Sequence, residues 1–236
     1  MNVAIPIPVR EITTVKDAKI VTGGLCRPSK MPGKAWGIPA ALCKRGGKLR
    51  AIAGSVCHEC YARKGRYVFA NVVAAYQRRY QAYKHRDRKQ WLQAMVFLIQ
   101  KQVKPADPYF RIFDSGDLQD AGMLTAWISI AKSLPDIRFW LVTRERAIVR
   151  RTLKTHTPPD NLLIRVSGDM VDDEGPSGFN NVGLVQSTTD LNAWRALVAT
   201  NTKKRWFCPA PLQGNSCGTC RACWDKEVEA TVYRIH

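Results

Sequence analysis

With 236 residues and 45% apolar side chains, the chain is long enough to bury a core without cross-links, which sets it apart from small disulfide-stapled proteins. Its 37 Lys and Arg against 19 Asp and Glu leave a formal charge of +18, so salt-sensitive attraction to phosphate-rich partners is expected and nucleic acid is the leading candidate. The apolar runs at 91–100 and 121–131 are far too short to span a bilayer, and the first twenty residues lack a basic start followed by a long apolar core; no membrane partner and no secretory signal are expected, and the address is cytoplasmic.

In chain order, residues 1–65 are rich in Gly, Pro and Lys and carry Cys26, Cys43, Cys57 and Cys60. They read as a ligand-bearing loop region with short strands at 19–22 and 49–53. From 68 to 103 apolar residues recur at spacings of three and four, which predicts two helices or one bent one within a helical segment at 66–104. Arg78, Arg79, Lys84, Arg86, Arg88 and Lys89 mark its solvated face, which could also face phosphates. Between 105 and 205, short apolar runs with polar ends alternate with helical stretches at 121–133, 147–155 and 189–204. That alternation predicts an α/β fold with a parallel sheet. The chain is short for an eight-fold barrel, so a partial (β/α) barrel or an open parallel sheet fits better. Residues 172–178 read as a surface loop, and 206–236 form a C-terminal segment with a CxxCxxC run. No repeat or linker divides the chain, which reads as a single domain over 1–236.

In such sheets ligands gather where the strands' C-terminal ends meet the following loops. The polar ends here are Asp114, Ser115 and Asp117; Thr143, Arg144 and Glu145; and Ser167 and Asp169. They are expected to converge on one rim as candidate cofactor-binding groups. Asp and Ser at these positions could equally cap the helices that follow.

Eight cysteines in a reducing compartment point to metal ligation rather than disulfides. Cys217, Cys220 and Cys223 lie three apart, with Cys208 nine positions earlier. Such short gaps let successive thiolates curl round one iron-sulfur cluster, whereas zinc usually takes its ligands as separated pairs. Cys57 and Cys60 form a second close pair, to which Cys26 and Cys43 add by count. Two four-cysteine sites are the simplest partition. A site that joins Cys57 and Cys60 to two C-terminal cysteines is the competing one. His58, between two close ligands, is expected to point outward. No H-x-E triplet, Walker loop, G-x-G-x-x-G fingerprint or G-x-S-x-G elbow occurs, which removes zinc deaminase, phosphate-loop, dinucleotide and hydrolase readings.

The runs GGLCRPSKMPG, GSVCHECYARKGRY, FDSGDLQD, FWLVTRE, IRVSGD and CGTCRACWD resemble the phage protein family known as gene product 88, in order and over most of the chain. The resemblance implies a phage-encoded protein working in a bacterial cytoplasm. A fainter similarity joins Cys57 to Ala62 and Thr143-Arg144 to radical-SAM-like phage proteins. In that group a three-cysteine [4Fe-4S] cluster leaves one iron open to S-adenosylmethionine (SAM) at the mouth of a partial (β/α) barrel. The chain departs from the CxxxCxxC run of that group, since Cys43 lies fourteen residues before Cys57, and Cys26 could close the open iron.

One or two [4Fe-4S] clusters are therefore expected. A radical-SAM-like enzyme acting on nucleic acid or nucleotide is the first functional reading. The second is a non-enzymatic nucleic-acid-binding or redox-sensing protein with structural clusters, or less favourably zinc.

Overall fold

The computed structural model describes residues 11–235. The chain's first helix, α1 (Val15–Thr22), starts at a capping box: the Asp17 amide donates to Thr14 Oγ1 at 3.1 Å and the Thr14 amide to Asp17 Oδ2 at 3.2 Å. Gly23, at φ 78°, ends it. The short strand expected at 19–22 is thus a helical turn. Its β-branched Ile20, Val21 and Thr22 suggested extended backbone, but the caps on either side decide the matter. The strand expected at 49–53 is likewise absent, because α2 (Lys44–Leu49) runs into turns there.

The helical segment resolves into two helices, α3 (Ala70–His85) and α4 (Arg88–Gln102), broken where Asp87 caps the second by accepting from the Gln90 amide at 2.8 Å. Asp120 caps α5 (Ala121–Ser133) in the same way through the Met123 amide at 2.7 Å. The remaining helices are α6 (Arg146–Leu153) and α7 (Leu191–Ala199).

Seven strands form an open, all-parallel sheet: β1 (Lys34–Trp36), β2 (Tyr109–Ile112), β3 (Arg138–Thr143), β4 (Leu162–Ser167), β5 (Val182–Gln186), β6 (Arg205–Phe207) and β7 (Ala230–Arg234), in the order β1-β2-β3-β4-β5-β7-β6. Of the two architectures expected, the open sheet is the one seen, with β1 and β6 as its edges. Register places Phe110 beside Phe139 beside Leu162, and Val166 beside Val182 beside Ala230. These residues share one face, where α4, α5 and α6 cover them and a second apolar cluster gathers Leu184, Trp194, Phe207 and Val232. The centre of the main core is aromatic. Trp36 meets Trp127 at 5.2 Å and Trp91 at 5.8 Å, all three fully buried, and each such pair adds about 0.5–1.5 kcal/mol beyond its area.

The alternate residues, among them Arg111, Trp140, Arg165 and Tyr233, face the other way. There the sheet is covered by the C-terminal cysteine segment instead of helices. Trp224 wedges against Trp140 and Tyr109 at ring separations of 5.2 and 5.3 Å and donates its indole N–H to Phe110 O at 3.1 Å. None of the described helices is long and apolar enough to cross a membrane.

Candidate metal centre

A parallel sheet turns all its C-terminal strand ends to one rim, and the first cysteine loop lies across it. The amide of Ile38, just after β1, donates to Ser115 O at 3.0 Å; Val56 N donates to Asp169 O at 2.9 Å; and Ser55 forms an isolated bridge with Met170. Close approach is written into glycines. A Cβ on Gly37 would lie 2.4 Å from Asp114 Oδ1, and one on Gly116, at φ 81°, would lie 2.6 Å from Ile38 O.

The rim brings the sequence-predicted groups together and pairs most of them internally. Asp117 is buried and accepts from Thr143 Oγ1 at 2.5 Å, Leu118 N at 2.7 Å and Arg144 N at 2.9 Å. Burial pushes its carboxyl up to about 6 even against these hydrogen bonds. Thr143 Oγ1 in turn accepts from the Glu145 amide, and Glu145 Oε1 accepts from the Arg45 amide at 2.7 Å. Arg144 Nε donates to Gly168 O at 2.9 Å. Asp169 takes the Arg45 guanidinium, with Nε at 2.9 Å, and Arg146 at 3.2 Å. Its carboxyl is held below the usual range because these cations outweigh the opposing effect of burial. Ser115 and Ser167 are buried on the same rim.

Asp169 and Arg45 thus latch α2, which follows Cys43, to the end of β4. Arg45 is 40% exposed, so the pair is partly screened. Asp169→Asn is expected to cost only about 1 kcal/mol globally while raising amide hydrogen exchange across residues 45–57. Unchanged exchange there would show that the backbone bridge alone holds the loop.

The thiols fall into three places. Cys43 and Cys57 flank Gly46, whose added Cβ would stand 3.2 Å from Cys57 Sγ and 3.9 Å from Cys43 Sγ. Burial raises both thiols; Asp117, Cys60 and Cys57 push Cys43 further, while Arg144 opposes the rise in each. Cys43 and Cys57 therefore stand together across Gly46, with Cys60 near enough to add to the rise in both. His58, between the latter two, is exposed, with Nδ1 3.0 Å from Arg50 O.

Cys26 is engaged elsewhere. It bridges Ala35 beside β1, and its thiol lies 3.1 Å from Asp114 Oδ2, the oxygen that also accepts from Tyr76 Oη at 2.7 Å. Burial and then Asp114 raise this thiol well above its ordinary value, against Arg79 and Arg111. The same thiol also lies 3.1 Å from Ala35 O, and the other oxygen of Asp114, Oδ1, is buried without a hydrogen-bond partner. Arg111 sits close by, with Nη2 3.0 Å from Tyr61 Oη.

The C-terminal thiols form the third group. Cys208 follows β6, where its amide donates to Val232 O at 2.8 Å. Burial raises it to about 12, with Cys223, Cys217 and Cys220 adding to the rise. Cys223 is raised to about 11 by burial and stands 3.2 Å from Tyr233 Oη. Arg165, fully buried in mid-strand, grips the backbone around Cys223. Nη2 donates to Ala222 O at 3.0 Å and Asp225 O at 2.8 Å, Nη1 to Val228 O at 2.8 Å, and Nε to Cys223 O at 3.2 Å.

Among the described residues no three His, Cys, Asp or Glu side chains stand close enough to grip a single ion as they are.

Sequence reasoning missed Arg45, Tyr76, Arg111, Arg165 and Tyr233. Arg111 and Arg165 left a local signal, each as a charge inside an apolar run, YFRIF and LLIRV.

A model of the family described as Gene product 88 matches residues 10–226. Comparison with curated proteins and with solved structures gives no match.

Proposed function

The chain belongs to the gene product 88 family, and we propose that it is an iron-sulfur protein with an open three-thiolate cluster and a closed four-thiolate one, acting as a radical-SAM-like enzyme on nucleic acid or a nucleotide. The observation that carries this reading is the place of Cys26. Its thiol lies against Asp114 and Ala35 O beside β1, whereas Cys43 and Cys57 flank Gly46, with Cys60 three residues further on. Three ligands then serve the rim, and Cys208, Cys217, Cys220 and Cys223 serve the opposite sheet face.

When bound at the rim, a [4Fe-4S] cluster with three thiolates would supply an iron for SAM's amino and carboxylate groups and the electron that cleaves SAM reductively. The chain's own contribution is positioning and charge. Arg144 lies near Cys43 and Cys57 and offsets the negative charge of their thiolates. Gly46 and Gly37 let backbone approach where a side chain would fill space. Asp114 Oδ1, a buried rim oxygen without a hydrogen-bond partner, suits ribose or ammonium recognition.

A second reading, structural clusters in a nucleic-acid-binding or redox-sensing protein, is favoured by the internal pairing of Asp117, Thr143, Glu145 and Asp169, which keeps those four groups from a cofactor.

Anaerobic preparations separate these readings. Wild type is expected to carry about eight irons. Cys57→Ser should fall to about four and lose reductive cleavage of SAM to 5′-deoxyadenosine, whereas Cys26→Ser should keep about eight. Iron loss in Cys26→Ser would make that residue a fourth ligand and close the site to SAM. Full iron content without SAM cleavage would support structural clusters, and colourless protein with stoichiometric zinc would remove both readings.

A further inference from the structure

We infer that the groove between α1 and α3 is the docking site for a single strand of nucleic acid, a placement that rests on the nucleic-acid reading above but not on the clusters. The groove encloses about 1000 Å³. Lys16 and Lys19 line it from α1, Arg78 and Arg79 from α3 and Arg86 from just past its end; among the described residues no Asp or Glu lines it. Five cations in one cleft repel one another, and clefts lined by one sign of charge focus the field on a ligand of the opposite sign.

The shape of the groove selects the kind of polyanion. Apolar side chains line it beside the cations: Val15 and Ile20 from α1, Leu25 just after it and Ala82 from α3. Cations interleaved with apolar surface suit a strand whose phosphates meet the charges and whose unpaired bases lie on the apolar side chains. A duplex, with its bases stacked inside and its phosphates outside, would meet the cations alone. An acidic peptide would leave the apolar lining unused, since its charges are not joined to flat apolar groups.

The groove's width is set by Gly23. A Cβ there would come within 2.7 Å of both Arg79 Cα and Arg79 N, so the end of α1 rests directly on the α3 backbone. The groove also leads inward. Arg79 is 5% exposed, donates from Nε to Gly24 O at 3.2 Å, and stacks its guanidinium 5.0 Å from the Tyr76 ring. Tyr76 is hydrogen-bonded to Asp114, the partner of Cys26. A strand in the groove therefore lies one side chain away from the buried network beside β1 and β2, and its phosphates would be held by residues that carry none of the thiol chemistry.

The test uses a fluorescent oligothymidine of about ten nucleotides, a length within the usual site size of single-strand binders. Lys19→Glu, Arg78→Glu and Arg86→Glu are combined in one variant. A control variant combines Lys101→Glu, Lys132→Glu and Lys154→Glu, which makes the same charge change at exposed positions outside the groove. The groove variant should bind at least about tenfold more weakly, and the slope of log K against log salt should fall by about 0.7 for each phosphate that it no longer neutralises. The control should lose clearly less. In wild type, ultraviolet cross-linking of a bromouridine-labelled strand should map to α1 or α3, a readout that does not depend on how well a variant folds.

Equal weakening in both variants, or cross-links outside α1 and α3, would overturn the groove assignment while leaving nucleic-acid binding standing. Displacement of the strand as readily by duplex as by unlabelled single strand would overturn the choice of ligand. Absence of any wild-type binding would remove the nucleic-acid reading itself.

Discussion

Arg165→Met should destabilise the protein by about 4 kcal/mol or more, with little change at the strand-end rim. The arginine is fully buried and donates to the carbonyls of Ala222, Cys223, Asp225 and Val228, with Glu229 O at 3.5 Å as a fifth, weaker contact. Methionine fills similar space and removes every donor. Each buried acceptor left without a partner costs about 1–3 kcal/mol, and water reaching some of them lowers the sum. Burial pulls the pKa of this guanidinium down. Lys is no substitute, because one ammonium cannot reach carbonyls spread over residues 222–229 in the fork geometry of arginine. Urea unfolding followed by tryptophan fluorescence reads the loss directly. A change below about 1 kcal/mol would mean that the carbonyls are already hydrated and that the segment rests on Trp224 alone.

That arginine also shows where sequence reading stops. The run LLIRVS was legible as a strand because its apolar residues match a strand buried on both faces, and β4 occupies Leu162–Ser167. What the arginine held was not legible, since its partners lie 57 to 64 residues away. Helix α5 was readable to the residue because Asp120 caps an uninterrupted apolar face. Strands β1 and β6, three residues each, are too short to show any period, and β7 follows a charged stretch that hid it. At 19–22 the β-branched residues outweighed a capping box five residues upstream.

The candidate site divides in the same way. The spacing of Cys217, Cys220 and Cys223 made the C-terminal set visible, and the structure gathers Cys208 with them. Cys26 could be counted but not placed, for its contact with Asp114 spans 88 residues. The convergence of Asp117, Thr143 and Asp169 on one rim followed from parallel topology alone. Their pairing with Arg144 and Arg45 depended on how the first cysteine loop folds back over the sheet.

Cys220→Ser is expected to remove the proposed C-terminal cluster and most soluble protein with it. The segment from Cys208 to Val228 contains only two short 3-10 turns, Ala210–Leu212 and Ala222–Trp224, so little regular hydrogen bonding supports it. Its anchors are the Arg165 fork, the Trp224 wedge, and the backbone bond from Cys217 N to Lys30 O at 2.9 Å. Burial and mutual repulsion raise Cys208 and Cys217 when no metal draws off the protons. In sites of this kind the binding free energy of the metal is folding free energy, about 10 kcal/mol or more for structural zinc peptides. A serine hydroxyl is a poor thiolate substitute, so much of that contribution would go. Anaerobic Cys220→Ser should therefore lose visible absorbance and about half its iron, and the tail beyond β6 should become the first site of proteolysis. Retention of all the iron would show that Cys220 is not a ligand. Loss of iron with the tail still protected would instead assign the stability of the segment to Arg165 and Trp224, in which case Arg165→Met and Cys220→Ser should add independently in the double variant.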